Sequence, residues 1–392
     1  MKGKKCAGWI RRNFGQMVMG ASYALMGLGC GIVTAQAMDE AGGSMIQMLL
    51  VMLAGVYGSM MLHIILHEAG HMIFGLMTGY RFASFRIGSF VWQRTDEGRV
   101  RFGHSPLPGA AGQCLMNPPE LVNGTMPFVL YNLGGVLMNL IIAVISLAAW
   151  ALAENPAADA LLMMCALVGI VTAITNGVPL RMGAVDNDGY NILSMKRSGE
   201  AVRGLWVQLK IAGESARDVR LRDMPAEWFY LPSRTAMKNS LCATVGVFYC
   251  GRLMDEMKFE EAKRAMQSLL RQRTGMVGLH RASVKMDLAV CELLTGGGQE
   301  AAEKTLDAYT KKLMKAMKNH LSAIRTEYIL ALLGEGDEKK AEEILCRFEK
   351  AAAKWPSRAD VESERELIQC AQRIAAEGLL VQSNGKGAVE QV

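Results

Sequence analysis

The chain has 392 residues, of which 51% are hydrophobic and 20% are charged, and its formal net charge is +6. The modest positive surplus is typical of a membrane protein with basic cytoplasmic loops, so no nucleic-acid partner is expected. The nine cysteines include no Cys-x-x-Cys pair, which argues against a disulfide framework or a cysteine zinc site and favours free thiols. Apolar runs concentrate before about Leu180, which predicts a membrane half joined to a soluble half.

Four apolar segments are long enough to span a bilayer, which takes about 20 residues. They lie at about 15–38, 43–75, 126–153 and 160–179. The basic segment 1–12 precedes the first span, and the positive-inside rule places it in the cytoplasm. A signal peptide cleaved near Ala37 is the less favoured alternative. Four spans return the chain to the cytoplasm, so we predict a multi-pass cell-membrane protein with both termini cytoplasmic.

The predicted cytoplasmic loop between the second and third spans, 79–125, carries a β-hairpin signal. Alternating apolar residues between Phe85 and Val91 precede a turn at Thr95–Gly98. The loop contains five arginines, which also fits the cytoplasmic side. The Pro- and Gly-rich stretch that follows, Ser105–Pro119, is predicted to be irregular loop.

The second span contains His67-Glu68-Ala69-Gly70-His71. Histidines four residues apart lie on one helical face, a spacing that suits two ligands of one zinc ion. Glu68 is then placed to act as general base on water that the metal activates. Each ionisable group in hydrocarbon costs roughly 2.5–3.5 kcal/mol on insertion scales, so three within five residues indicate a function.

A catalytic zinc site usually has a third protein ligand, which here should come from another helix at similar depth. The candidates follow the fourth span, where Pro179 should end or kink the helix. Irregular backbone at this depth must be buried in protein or line a wet cavity. Asp186 and Asp188 both lie in this segment, and Asp188 is followed by Gly189.

The sequence at this point resembles the site-2 protease family (M50-type) of intramembrane zinc metalloproteases over roughly residues 45–195. The matching motifs, in the family's order, are His67-Glu68-x-x-His71, Gly135-Val-Leu-Met-Asn139, and Asn176-x-x-Pro179 followed by Asp188-Gly189. The resemblance implies that His67, His71 and Asp188 bind Zn²⁺. Glu68 would be the general base. The family's second proline after Pro179 is missing and the gap to Asp188 is long, which leaves Asp186 as the competing ligand.

The family pattern also implies that Asn139 is catalytic and donates to the substrate backbone or to the developing oxyanion. The alternative is a helix–helix hydrogen bond, which the small residues Gly134 and Gly135 would favour by close packing. His63 lies one turn before His67 on the same face. It is interpreted as a packed or pore-facing helix residue, with a role behind the metal ligands as the alternative.

The second half is predicted to begin with a linker over 196–236. Over 237–380, three segments align at an interval of about 40 residues, each with an apolar helix, a polar turn and a second helix. This arrangement resembles the tetratricopeptide class, whose stacked helix pairs suit a peptide or protein partner. A generic helical domain without a ligand is the alternative. Residues 381–392 are predicted to be a disordered tail.

The predicted fold is therefore mainly α: a polytopic membrane helical bundle of about four spans (metalloprotease domain, 13–195) with a small β-hairpin loop, followed by a soluble α-helical repeat domain. The predicted function is hydrolysis of membrane-protein or peptide substrates near the cytoplasmic side. The alternative is a membrane-anchored helical-repeat scaffold with an inert peptidase-like domain. A metal transporter is disfavoured, because the polar residues gather near one end of two spans.

Overall fold

The computed structural model describes residues 2–40, 42–95, 98–104, 111–180 and 186–389, with side chains from Phe14 to Glu377 within those ranges. The first helices are α1 (Lys2–Glu40), α2 (Met45–Met77), α3 (Val129–Trp150), α4 (Pro156–Gly177), α5 (Asp188–Arg197) and α6 (Gly199–Ala216). The later helices are α7 (Ser240–Asp255), α8 (Phe259–Arg271), α9 (Gly278–Leu294), α10 (Gly298–Thr305), α11 (Ala308–Ala316), α12 (Leu321–Ile329), α13 (Glu338–Ala352) and α14 (Arg358–Val389).

Among the described helices, four are long and apolar enough to cross a bilayer. These are Phe14–Glu40 within α1, and the whole of α2, α3 and α4. The prediction of four spans is confirmed, with bounds that differ by a few residues. The chain is therefore a multi-pass membrane protein. Its second span, α2, begins with a capping box, in which the Ser44 hydroxyl accepts from the Gln47 amide and the Gln47 side chain accepts from the Ser44 amide.

The described residues also form a small antiparallel sheet. Its strands are β1 (Arg81–Ile87), β2 (Phe90–Arg94), β3 (Val100–His104) and β4 (Gly112–Asn117), in the order β3-β2-β1-β4. The pair β2 and β3 forms the expected hairpin, with Phe90 opposite His104. Of the predicted turn, Asp96 and Glu97 lie outside the described residues.

The segment Ser105–Pro119 was predicted to be irregular loop. This prediction is wrong for Gly112–Asn117, which form β4, whereas residues 105–110 lie outside the described part. β4 pairs antiparallel with β1, with Cys114 opposite Phe85. Cys114 and Met116 are buried, in the alternating pattern of a strand. The glycine and proline content around this short alternation favoured a loop in the sequence, whereas the long-range pairing with β1 decides the structure.

By compactness the chain divides into two units, Met1–Ile87 with Ala111–Val202, and Gly88–Ala110 with Arg203–Val392. The β2–β3 hairpin therefore belongs to the second unit. Within that unit, Arg101 donates to the Pro356 carbonyl at 2.7 Å, and Gln93 donates to the Ala216 carbonyl. These bonds attach the hairpin to helical parts of its own unit.

The region 196–236, predicted to be a linker, contains α6 and short 3₁₀ segments. Buried apolar residues such as Val207 and Ile211 on α6, and the edge-to-face contact of Trp206 with Trp228, make it part of the fold. The predicted tail from residue 381 is helical as far as Val389, because α14 continues; residues 390–392 lie outside the described part. Extending an existing helix avoids the cost of nucleation.

The second unit is built from consecutive helices that pack on one another. α7 contacts α8, α8 contacts α9, α9 contacts α10, and α12 contacts α13. Their buried faces share one core, which includes Met266, Leu269, Ile324 and Phe348. The buried guanidinium of Arg325 donates to Asp287 at 2.8 Å and to Glu364 at 2.7 Å. The tetratricopeptide assignment stays a prediction.

Candidate metal centre

The first two residues of the site lie one turn apart on α2. His67 and His71 direct their Nε2 atoms toward the same point, and the two nitrogens are 3.1 Å apart. Both side chains are largely buried, with about a tenth of their surface exposed. The helical period therefore brings these two imidazoles together as the sequence predicted.

Glycines let α3 approach α2 closely behind these histidines. A Cβ atom at Gly70 would lie 2.3 Å from the Gly134 carbonyl oxygen, and one at Gly134 would lie 2.5 Å from the Gly70 oxygen. A Cβ atom at Gly135 would lie 2.4 Å from the His67 ring. Only a hydrogen atom fits at each of these three positions. The backbones of α2 and α3 therefore touch at Gly70 and Gly134, and the backbone of α3 touches the His67 ring at Gly135.

The third residue is the first residue of α5. Asn187 caps this helix, accepting from the Tyr190 amide at 2.9 Å, and its side-chain nitrogen donates to the Thr175 carbonyl of α4 at 2.8 Å. On the other side of Asp188, a Cβ atom at Gly189 would lie 2.1 Å from the Gly177 carbonyl oxygen. The residues that flank Asp188 thus hold it against the end of α4, and a side chain larger than hydrogen does not fit at Gly189.

Three donor atoms converge in this way. Asp188 Oδ2 lies 3.2 Å from His67 Nε2 and 3.6 Å from His71 Nε2. A tetrahedral zinc ion with bonds of about 2.0–2.1 Å requires ligand atoms about 3.3–3.4 Å apart. Within the described residues this is the one group of three histidine, cysteine or acidic side chains that meets the distances for a metal, and it contains Asp188 rather than Asp186.

The surroundings of the Asp188 carboxylate favour a bound cation. Its Oδ2 atom is buried and, apart from the two imidazole nitrogens at 3.2 and 3.6 Å, has no hydrogen-bond partner in the described part of the chain. A buried carboxylate oxygen without a partner is costly, and a metal ion would satisfy it. Two imidazoles and one carboxylate are ligands that zinc prefers, and three protein ligands leave one position for water. The residues present therefore fit zinc.

Groups behind the ligands fix the orientation of His71. Its Nδ1 atom donates to the Tyr131 carbonyl of α3 at 2.8 Å, which leaves Nε2 for the metal. The Tyr131 hydroxyl donates to the Cys114 carbonyl of β4 at 3.2 Å, and its ring stacks on Tyr80 at 4.5 Å between centroids. Tyr131 therefore connects the candidate ligand His71 to the sheet.

Glu68 lies against the same strand. A Cβ atom at Gly112 would lie 2.8 Å from Glu68 Cγ and 2.9 Å from Oε1. Glu68 is partly exposed, unlike His63 on the same helix. Its carboxylate thus lies between the two histidines in sequence and beside β4 in space, which suits a general base.

Asn139 of α3 lies between two histidines of α2. Its side chain is 1% exposed, and its amide nitrogen lies 3.1 Å from His67 Nδ1 while its amide oxygen lies 3.2 Å from His63 Nδ1. This is the helix–helix hydrogen bond that the sequence left as the alternative. The amide lies on the side of the His67 ring away from Nε2, and the catalytic assignment of Asn139 stays a prediction.

His63 is packed inside the helical bundle, which is one of the two interpretations that the sequence left open, and it also contacts Asn139. It is fully buried, and its Nε2 atom lies 2.9 Å from the Cys165 carbonyl of α4. The signal was present in the spacing, because His63, His67 and His71 repeat every four residues along one face of α2.

We expect Gly135→Ala to weaken zinc binding, because the added methyl group would displace the His67 ring. The measurement is the zinc content of the purified variant after dialysis against a weak chelator. Gly58→Ala on α2 is the matched control, since nothing lies within 4 Å of its added Cβ atom. Equal zinc retention by Gly135→Ala and Gly58→Ala would contradict the placement of His67.

Comparison with known proteins gives one match. The sequence model of peptidase family M50 matches residues 55–328, more than half of the chain, and extends past the fourth span into the helical second unit. No curated protein and no solved structure is significantly similar to the chain.

Proposed function

This chain belongs to peptidase family M50, and on that premise we propose that it is an intramembrane zinc endopeptidase. Peptidases of this family are generally zinc-dependent. The observation that carries the proposal is the convergence of His67 Nε2, His71 Nε2 and the unpartnered Asp188 Oδ2 at distances of 3.1–3.6 Å. These three residues would hold the metal.

When bound, zinc supplies Lewis acidity, which lowers the pKa of water and polarises a carbonyl group. Glu68 would take the proton of the attacking water as general base and later transfer it to the leaving amine. His71 is kept in the required orientation by its bond to the Tyr131 carbonyl. The chain would thus supply a base and an oriented ligand set for metal-assisted hydrolysis.

The substrate proposed is a membrane-embedded or membrane-adjacent peptide segment. Helical peptide bonds are shielded by their own hydrogen bonds, so cleavage requires local unwinding. Within the described strands, β4 has a neighbour on one side only, and Glu68 packs against its Gly112. We propose that an unwound segment binds in extended form along this edge, which would present its backbone to Glu68.

We further propose that cleavage occurs near the cytoplasmic side. The basic N-terminal segment and the arginines of the 79–125 region support this orientation through the positive-inside rule. The helices after α6 would then be cytoplasmic. Their packed pairs support a role in binding a peptide or protein partner.

Reconstituted full-length protein tests the proposal directly. It should cleave at least one member of a panel of single-span membrane peptides, lose this activity when a strong chelator removes the metal, and regain it when zinc is restored. Cleavage that persists unchanged in the chelator would exclude the metal mechanism. Normal zinc binding without cleavage of any panel member would favour an inert peptidase-like domain.

A further inference from the structure

A polar cavity of about 260 Å³ lies inside the second unit. Its walls come from α7, α9, α12 and α14, and from the segment between α6 and α7. A single water needs roughly 10–15 Å³, and sites for small molecules begin at about 300 Å³. The cavity therefore has room for one long side chain or for a small organic molecule. The peptidase function proposed above makes no use of it.

The ionisable groups in the walls of this cavity carry a negative excess. The four carboxylates and two guanidinium groups are those of Asp255, Asp287, Asp360, Glu364, Arg220 and Arg325. His320 also lines the cavity, but burial and the nearby Arg325 cation lower its pKa to about 4, so it is neutral at pH 7. With the carboxylates ionised, the walls have a net charge of −2. Such a cavity disfavours anions and attracts a cation.

Both arginines are already paired with carboxylates. Arg220 donates to Asp255 at 2.6 Å. Arg325 donates to Asp287 at 2.8 Å and to Glu364 at 2.7 Å. Their side chains are only 6% and 3% exposed, so they act as internal ion pairs of the helical unit. The excess of negative charge therefore remains after every arginine in the wall has been assigned a partner.

Asp360 is the carboxylate of the cavity for which the described residues provide no ion pair. Its Oδ2 atom accepts from the Trp355 indole at 3.1 Å, which is a neutral donor. Solvent reaches the side chain, yet the surrounding protein, together with the charges of Glu364 and Asp218, raises the pKa of Asp360 to about 6. A bound cation would stabilise the ionised carboxylate.

The geometry favours an organic cation over a metal ion. Among the described residues, the one group of three histidine, cysteine or acidic side chains close enough for a metal is that of the membrane domain, so the carboxylates of the cavity are too widely spaced. Trp355 and His320 add aromatic surface beside Asp360, with ring centroids 4.9 Å apart. Aromatic rings next to a carboxylate are a combination that recognises organic ammonium ions.

We propose that this cavity binds an alkylammonium group, with Asp360 as its counter-ion and with Trp355 and His320 beside its methylene groups. Two sources share this chemistry, namely a lysine side chain of a partner polypeptide and a free diamine. The proposal goes beyond the peptidase function and does not require it. It gives the second unit a ligand of defined chemistry.

The test uses the indole N–H signals in NMR spectra of the full-length protein in detergent. The Trp355 signal is identified by its absence in Trp355→Phe. Titration with lysine blocked at both ends, or with the diamine cadaverine, should shift this signal, and the tighter of the two identifies the source. The blocked norleucine derivative, which lacks the ammonium group, should leave it unchanged, as should magnesium chloride at matched ionic strength. An equal response to either control, or no response to millimolar amine, would overturn the proposal.

Asp360→Asn tests the counter-ion, because it removes the charge and keeps an oxygen that can accept from Trp355. We expect the affinity for the tighter amine to fall about tenfold or more, as for the loss of a hydrogen bond to a charged group. Glu362→Gln, an exposed position on the same helix and outside the cavity wall, is the matched control and should bind as wild type does. Equal losses in the two variants, or wild-type affinity in Asp360→Asn, would overturn the proposal.

Thermal unfolding without amine checks that the variant is folded. Asp360→Asn should be at least as stable as wild type at pH 7, because it removes a charge that the surrounding protein disfavours. If the variant unfolds instead, the wild-type comparison of blocked lysine with blocked norleucine still decides the proposal. Amine binding is measured without zinc and without peptide substrate, so its failure and the failure of the proposed peptidase function are independent results.

Discussion

Glu68→Gln is expected to lower the rate of peptide-bond cleavage by about 10²- to 10⁴-fold while zinc stays bound, because general bases contribute about that factor. Glutamine has the volume of glutamate, so the packing against Gly112 is kept and only the proton acceptor is lost. The measurement is single-turnover cleavage of a reconstituted membrane peptide, together with metal analysis of the same sample.

Glu40→Gln is the matched control, since Glu40 lies at the exposed end of α1. It should cleave at the wild-type rate. The Glu68→Gln variant should also retain uncleaved substrate during purification, which gives a way to identify natural substrates. Cleavage by Glu68→Gln at the wild-type rate would remove Glu68 from the mechanism.

Asp188→Asn is expected to lower zinc affinity by more than the roughly 10- to 100-fold that outer groups contribute, because it removes a charged ligand. In the absence of zinc, by contrast, the same substitution should not destabilise the protein. The wild-type carboxylate is a buried negative charge whose Oδ2 atom lies beside two imidazole nitrogens and no cationic side chain in the described part of the chain, so the neutral amide should leave the metal-free protein as stable as before or more stable. Chelator competition and thermal unfolding with and without zinc measure the two effects.

Asp186→Asn is the matched control, because Asp186 lies two residues earlier and outside the group of converging ligands. It should bind zinc as wild type does. If Asp186→Asn loses zinc while Asp188→Asn keeps it, the third ligand has been assigned to the wrong carboxylate. Loss of stability by Asp188→Asn in the absence of metal would indicate a structural role for this residue instead.

Local periodicity was sufficient for the parts of the site that lie on one helix. His67, Glu68 and His71 share α2, so their relative positions follow from the helical repeat alone. The sequence led to the segment that holds Asp186 and Asp188, but the choice of Asp188 needed a family pattern, because its position depends on the bonds of Asn187 to α4 and on the contact of Gly189 with Gly177.

The roles missed in the sequence depend on how helices and strands pack. Whether Asn139 faces substrate or His67 depends on the rotation of α3 relative to α2, which the contact between Gly70 and Gly134 sets. β4 was missed because its alternation covers only Cys114 and Met116, and its pairing with β1 joins residues far apart in sequence. Neither the rotation of α3 nor the pairing of β4 leaves a local sequence pattern strong enough to outweigh what the composition of these segments predicts.

The contact between Gly70 and Gly134 also restricts how a substrate can reach the metal. The two backbones meet without intervening side chains, so no rotamer change can open a path there, and separating the helices would break the contact along its whole length. In the proposed function the cleavable segment therefore uses another side of α2, and we propose the flank beside β4 because Glu68 packs against Gly112 there. Cross-linking α2 to α3 should consequently leave turnover intact, whereas tethering β4 to α2 should stop it.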